Sequence, residues 1–243
     1  MGQLFAKQML ENYKLYLMSL AVLAGSELMI LAIHYLNRAP VALNEQKAEF
    51  LGFYYVCGAI FTSSIFSEYG NTRQCTYALM LPASHFEKYF VKWVYTFVLF
   101  QAAMFLTFYL VYVPFIEANH FGNKQPEVLN LFELPGYLFL IFALIHAVFF
   151  YGAIFFRNKA QFIKTASAAL GLLMLLVKMM EYIQRWVLGR PEQGLRFFTK
   201  SVENNYYIEV RQIYYQQFGI AAALITVLLW VATYFRLQEK QIR

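Results

Sequence analysis

Residues 93–116 read WVYTFVLFQAAMFLTFYLVYVPFI, a stretch that contains no charged side chain. At about 1.5 Å per residue, a helix of this length extends ~36 Å. This is enough to cross the ~30 Å hydrocarbon core of a bilayer. The stretch therefore predicts a membrane-spanning helix, and it sets the fold class for the rest of the chain.

Five further apolar blocks are separated from this one by polar or charged stretches. They predict helices at residues 15–36, 50–66, 135–156, 165–183 and 218–235. With residues 93–116 they predict an all-α fold, a polytopic six-helix transmembrane bundle. Six spans leave little of the 243 residues for anything else, so residues 1–243 are expected to form a single transmembrane domain.

The composition favours a membrane protein over a soluble one. Hydrophobic residues make up 60% of the chain and charged residues 14%, against roughly 45–50% and about 25% in soluble domains. We attribute the net charge of +6 to helix-end cations that meet lipid headgroups, not to a nucleic-acid surface. Cys57 and Cys75 form no CxxC pair and the histidines are scattered, so neither a disulfide framework nor a metal site is expected.

The distribution of lysine and arginine predicts the orientation of the helices. The linker after the fourth block carries Arg157, Lys159 and Lys164 and no acidic residue, which is typical of a cytoplasmic loop. The same count over the other short loops places both termini in the cytoplasm, together with the loop between the second and third helices. The segment 184–217 mixes aromatic and basic residues and is predicted to be ordered at the membrane interface.

The segment between the second and third predicted helices combines a helix break with a helix start. Pro82 interrupts any helix that precedes it. Ser84 is predicted to cap a new helix, with Glu87 at the third position completing a capping box. That helix begins near His85 and continues into the span at 93–116.

The side chains of this new helix divide between two faces. Phe86, Phe90 and Trp93 repeat at helical spacing, and another side carries His85, Lys88 and Lys92. The pattern fits two arrangements. One is an interfacial helix that lies among lipid headgroups, and the other is a helix that offers one face to a partner.

The residues Leu81-Pro82-Ala83-Ser84, followed by Glu87-Lys88-Tyr89, resemble a motif of the small permease subunits of bacterial type-2 ATP-binding-cassette (ABC-2) exporters. In that family the motif lies in the cytoplasmic loop before the third helix, where a short coupling helix docks on a separate ATPase subunit. The resemblance implies the same role here for Leu81, Pro82, Ala83, Ser84, His85, Phe86, Glu87 and Lys88.

The resemblance also implies partners and a location. A second permease copy or a related permease completes the translocation path, and ATP and Mg²⁺ bind to the partner ATPase. The chain is then a multi-pass subunit in the bacterial plasma (inner) membrane, with short re-entrant helices in the segment 184–217. Because the chain contains no GxxxxGK[ST] sequence, ATP hydrolysis must come from the partner, and no enzymatic activity is expected of this chain.

Glu27 and His146 are two of the ionisable residues inside the predicted spans. Glu27 lies near the middle of the first block, with His34 seven residues later on roughly the same face. Glu27 is either a functional group or a protonated or hydrogen-bonded carboxyl at a helix contact. His146 stands among apolar neighbours in the fourth block, and we interpret it as a hydrogen-bonded packing residue rather than a ligand.

Two other functions stay open from the sequence. A non-transport polytopic membrane protein, such as an assembly or sensory subunit, would use the same loop to bind a different cytoplasmic partner. An intramembrane enzyme is the second alternative, but the chain contains neither a GxSxG nor an HExxH sequence. Transport therefore remains the function that the sequence favours.

Overall fold

The structure, a computed structural model, describes most of the six predicted helices. The described residues are 2–37, 41–65, 84–118, 127–156, 162–171, 174 and 205–242. All regular secondary structure in these ranges is helical, without a strand. The all-α prediction is confirmed for this part of the chain.

Six helices are labelled here in chain order. They are α1 (Gly2–Leu36), α2 (Leu43–Ser64), α3 (His85–Ala118), α4 (Gly136–Phe155), α5 (residues 162–171) and α6 (Asn205–Ile242). Within α3 the segment Val94–Leu99 is a π-helix. A short 3₁₀ turn, Leu131–Glu133, precedes α4.

Four helices in the described ranges are long and apolar enough to cross a membrane. They are Tyr16–Leu36, His85–Ala118, Gly136–Phe155 and Gly219–Glu239. This is consistent with a multi-pass membrane protein. The second predicted span, 50–66, lies in α2 except for its last two residues but is not among these four. Of the fifth, 165–183, only 165–171 and 174 are described.

Several helices extend past their predicted apolar blocks. Helix α1 begins at Gly2 instead of residue 15, and α2 begins at Leu43, where the carboxylate of Glu45 accepts a 3.1 Å hydrogen bond from the backbone N–H of Ala42. Residues 205–217, predicted as part of an interfacial or re-entrant segment, are helical and continuous with α6. The length of an apolar block shows how much of a helix fits into the bilayer core, whereas capping and backbone hydrogen bonds determine where the helix begins and ends.

Helix α4 lies centrally, packed against α2 on one side and α6 on the other, while α1 packs mainly on α3. Aromatic rings fill the space between α2, α3 and α4. Tyr54 stacks on Phe142 with ring centroids 4.2 Å apart, and Phe100 stacks on Phe142 at 5.8 Å. A Cβ at Gly58 would lie 2.5 Å from the Phe142 ring, so only glycine allows α2 to approach so closely.

Different groups hold the two ends of the bundle together. At one end, the buried amide of Gln46 donates to the carbonyl of Glu127 at 2.9 Å and accepts from the N–H of Leu129 at 2.9 Å. The opposite end has an apolar cluster that includes Tyr95 and Leu237. The start of α3 belongs to this second end.

Candidate functional site

The start of α3 is closed by the capping box that the sequence predicts. The Ser84 hydroxyl accepts from the backbone N–H of Glu87 at 3.2 Å, and the Glu87 carboxylate accepts from the backbone N–H of Ser84 at 3.1 Å. These two bonds satisfy two of the backbone groups that a helix start leaves unpaired. The helix start is therefore fixed by local sequence.

At the start of α3 the apolar side chains are exposed and the basic ones are buried, the reverse of an ordinary surface helix. Phe86 and Phe90 are 52% and 38% exposed, and Ser84 and His85 are also exposed. Lys88 and Lys92 are each 5% exposed. The aromatic rings thus face outward, and the two basic side chains lie inside. An exposed apolar face of this kind is typical of a surface that binds an apolar partner or lipid.

Two hydrogen bonds anchor the helix start to its neighbours. The Lys92 ammonium donates to the carbonyl of Ile65, the residue that follows α2, at 3.1 Å. A cation at this place satisfies a helix-end carbonyl and complements the dipole of α2. The Tyr89 hydroxyl donates to the carbonyl of Trp230 in α6 at 2.9 Å. A displacement of the α3 start would act on both α2 and α6.

An aromatic strip leads from the exposed helix start into the bundle. It consists of Phe86, Phe90, Trp93 and Phe97, and successive rings stack with centroids 5.8, 6.1 and 5.0 Å apart. Trp93 and Phe97 both meet Trp230 edge-on at 5.3 Å. The strip is a continuous packed connection between an exposed surface and the interior.

The aromatic strip ends beside His146, a buried residue of α4 that hydrogen-bonds to side chains of α3 and α6. His146 is 0% exposed, and its Nε2 lies 2.8 Å from the hydroxyl oxygen of Thr96. Its Nδ1 accepts from the indole N–H of Trp230 at 3.2 Å. Thr96 lies in the π-helical segment of α3 and donates to the carbonyl of Lys92 at 2.9 Å. The interpretation of His146 as a hydrogen-bonded packing residue is confirmed.

Glu27, the other ionisable residue singled out in the sequence, has a different environment. Its side chain is 1% exposed, and neither carboxylate oxygen has a hydrogen-bond partner in the described structure. The neighbouring Ser26 hydroxyl donates instead to the carbonyl of Leu23 at 2.8 Å.

A second acidic residue, Glu49 on α2, lies beside the end of α1 that carries His34. Glu49 accepts from the Tyr112 hydroxyl at 2.5 Å, and its other carboxylate oxygen lies 3.0 Å from Nε2 of His34. The side chains of His34 and Glu49 are 19% and 17% exposed, whereas Tyr112 is 1% exposed. Three helices therefore contribute to one polar cluster, which extends from the bundle edge inward.

Family models, curated proteins and solved structures give no match to this chain.

The structure brings together part of what the sequence singled out. Leu81, Pro82 and Ala83 lie outside the described residues, while Ser84 to Lys88 form the capped helix start. Sequence reasoning missed the bond between Glu49 and Tyr112, because it joins residues far apart in the chain. No group of three or more potential metal ligands occurs in the described ranges.

Proposed function

We propose that this chain is the membrane-spanning permease subunit of an ATP-driven exporter, in which a separate ATPase subunit supplies the energy. The observation that carries the proposal is the capped start of α3. It presents exposed aromatic rings at Phe86 and Phe90, and it belongs to the segment whose sequence resembles the coupling motif of ABC-2 permeases. A solvent- or headgroup-facing aromatic pair on a rigid helix end suits an interface anchor.

The same helix provides a way to transmit motion. In the proposal, the ATPase contacts Ser84, His85, Phe86 and Glu87 and pushes on the start of α3 when it binds ATP. Because Lys92 is bonded to the end of α2 and Tyr89 to α6, these two helices move with α3. The aromatic strip carries the displacement on to the packing around His146. Coupling then uses existing contacts between rigid elements.

The remaining parts of the complex follow from the same proposal. A second permease copy or a related permease forms the path together with this chain, and ATP and Mg²⁺ bind to the ATPase. The complex lies in a bacterial inner membrane and moves its substrate outward. The absence of a GxxxxGK[ST] sequence in the chain supports a separate source of ATP hydrolysis.

Co-purification tests the proposal directly. The tagged chain is purified from its native membrane in mild detergent, and co-purifying proteins are identified by mass spectrometry. We expect a protein with a P-loop sequence to co-purify with the wild type. Phe86→Asp should reduce its recovery by about tenfold or more, the loss expected when an interface anchor is charged.

Phe132→Asp is the matched control. Phe132 is 80% exposed in the 3₁₀ turn before α4, so the substitution adds the same charge away from the proposed contact and should leave recovery unchanged. The proposal fails if no P-loop protein co-purifies under conditions that preserve other membrane complexes. A different cytoplasmic partner that is lost only with Phe86→Asp would instead support an assembly or sensory subunit.

A further inference from the structure

The π-helical segment Val94–Leu99 divides α3 into two parts, residues 85–93 and residues 100–118. At its end the backbone N–H of Phe100 donates to the carbonyl of Tyr95, five residues earlier instead of the four of an α-helix. The segment therefore holds one residue more than the α-helical turn that it replaces. The two parts of α3 are out of α-helical register with each other by that residue.

A row of buried side chains runs along both parts of α3. Every fourth residue from Lys88 to Ile116 is buried, and the row includes Thr96, Phe100 and Phe108. An ideal α-helix turns about 100° per residue, so each step of four residues drifts about 40° around the helix. The extra residue of the π-helical segment turns the row back by about 100°. It thus keeps the buried faces of the two parts on nearly the same side of α3.

The two parts of α3 nevertheless pack into different apolar clusters. The first part extends to Tyr95 in a cluster that includes Leu237 on α6, here named the Leu237 cluster. The last part contributes Phe100 and Phe108 to a cluster that includes Phe142 on α4, here named the Phe108 cluster. Among the residues that the structure describes, the border between the two clusters therefore crosses α3 within the π-helical segment.

A polar layer lies at this border. On α4, His146 stands four residues after Phe142 of the Phe108 cluster and four before Phe150 of the Leu237 cluster. It is bonded to Thr96 in the π-helical segment and to Trp230 on α6. Because Nδ1 accepts the indole proton, the neutral ring carries its own proton on Nε2 and donates it to the Thr96 hydroxyl. Hydrogen bonds require a defined geometry, so this layer fixes the position of one cluster relative to the other.

We infer that the π-helical segment of α3 is a hinge. Residues 85–93 move with the Leu237 cluster, and residues 100–118 stay with the Phe108 cluster. The bonds of His146 to Thr96 and Trp230 hold the hinge in the position that the structure shows. Sharp bends in helices occur at π-helical segments, which are frequent at functional sites. The inference rests on α3 and its neighbours and not on the proposed ATPase contact.

Amide hydrogen exchange of Thr96→Val tests the hinge. Valine has the shape of threonine but lacks the hydroxyl that bonds to His146. Exchange is followed by mass spectrometry of peptides from the purified full-length chain in mixed micelles, without any ATPase. We expect exchange in residues 85–100 to accelerate about threefold, the factor that corresponds to an average interhelical hydrogen bond in a membrane protein. Exchange in residues 101–118 should stay at the wild-type rate.

Thr107→Val is the matched control, because both threonine hydroxyls donate to two carbonyls of their own helix. Thr96 donates to Lys92 and Trp93, and Thr107 donates to the third and fourth residues before it. Within the described structure only Thr96 also bonds to another helix. Thr107→Val should therefore leave exchange in residues 85–100 unchanged, and Thr96→Ser, which keeps the hydroxyl, should behave like the wild type.

Three results would overturn the hinge. If Thr96→Val accelerates exchange equally in both parts of α3, the helix moves as one rod. If Thr96→Val exchanges like the wild type, the bond to His146 does not hold the segment. If Thr107→Val accelerates exchange in residues 85–100 as much as Thr96→Val does, any lost buried hydroxyl has the same effect. None of these results depends on whether an ATPase partner exists.

Discussion

His146 and Glu27 are both buried polar residues in helices that are long and apolar enough to span a membrane, yet their surroundings differ completely. His146 has a hydrogen-bond partner for each ring nitrogen, Thr96 on α3 and Trp230 on α6. Glu27 has no partner for either oxygen in the described structure. Their exposed fractions are nearly equal, 0% and 1%, so burial alone does not distinguish them.

The difference shows how to separate a structural polar residue from a functional one. A fully bonded group such as His146 fixes the positions of the helices that bond to it, and removing it leaves their groups unpaired. An unbonded group such as Glu27 contributes little to holding helices together, so its presence calls for another role. Three substitutions test this contrast, in order of the effect that we expect.

The largest effect is expected for His146→Met. Methionine fills the same space flexibly but bonds to neither Thr96 nor Trp230, so the Thr96 hydroxyl and the indole N–H of Trp230 both lose a partner. We expect the free energy of unfolding to fall by about 2–3 kcal/mol, measured by denaturant titration in mixed micelles. His85→Met is the control, since His85 is exposed at the start of α3, and it should leave stability unchanged. Equal stability of His146→Met and wild type would contradict the bonded network.

A smaller effect is expected when a single bond of His146 is removed. Trp230→Phe keeps an aromatic ring but deletes the N–H that donates to Nδ1, so the free energy of unfolding should fall by about 0.5–1 kcal/mol, the usual value of an interhelical bond in membranes. The matched variant is Trp93→Phe, because the side chain of Trp93 makes only ring contacts within the described structure. If Trp93→Phe destabilises the protein as much as Trp230→Phe, ring packing and not the hydrogen bond is responsible.

Local patterns predicted the parts of the fold that depend on nearby residues. The apolar blocks located α1, α3, α4 and α6, and the Ser84 and Glu87 pair located the start of α3 within one residue. A capping box is defined by four consecutive residues, so it can be recognised from the sequence. The residue type and apolar setting of His146 likewise indicated a bonded packing role.

Contacts between distant residues were not predictable in this way. The bond between Glu49 and Tyr112 depends on how α2 and α3 pack, and the outward aromatic face of the α3 start depends on what α2 and α6 cover. To predict the close contact between Gly58 and Phe142, one must also know the relative position of α2 and α4. Periodicity gives the faces of a helix but not the neighbour that each face meets.

The smallest effect is expected for Glu27→Met, the same replacement as in His146→Met. Because no hydrogen bond of Glu27 is lost and an apolar side chain suits the buried position, the free energy of unfolding at neutral pH should stay within about 0.5 kcal/mol of the wild type or rise. Glu49→Met provides the contrast, since Glu49 loses its contacts with His34 and Tyr112 and should destabilise the protein. A large destabilisation by Glu27→Met would mean that Glu27 holds helices together as His146 does, and the difference between the two buried residues would disappear.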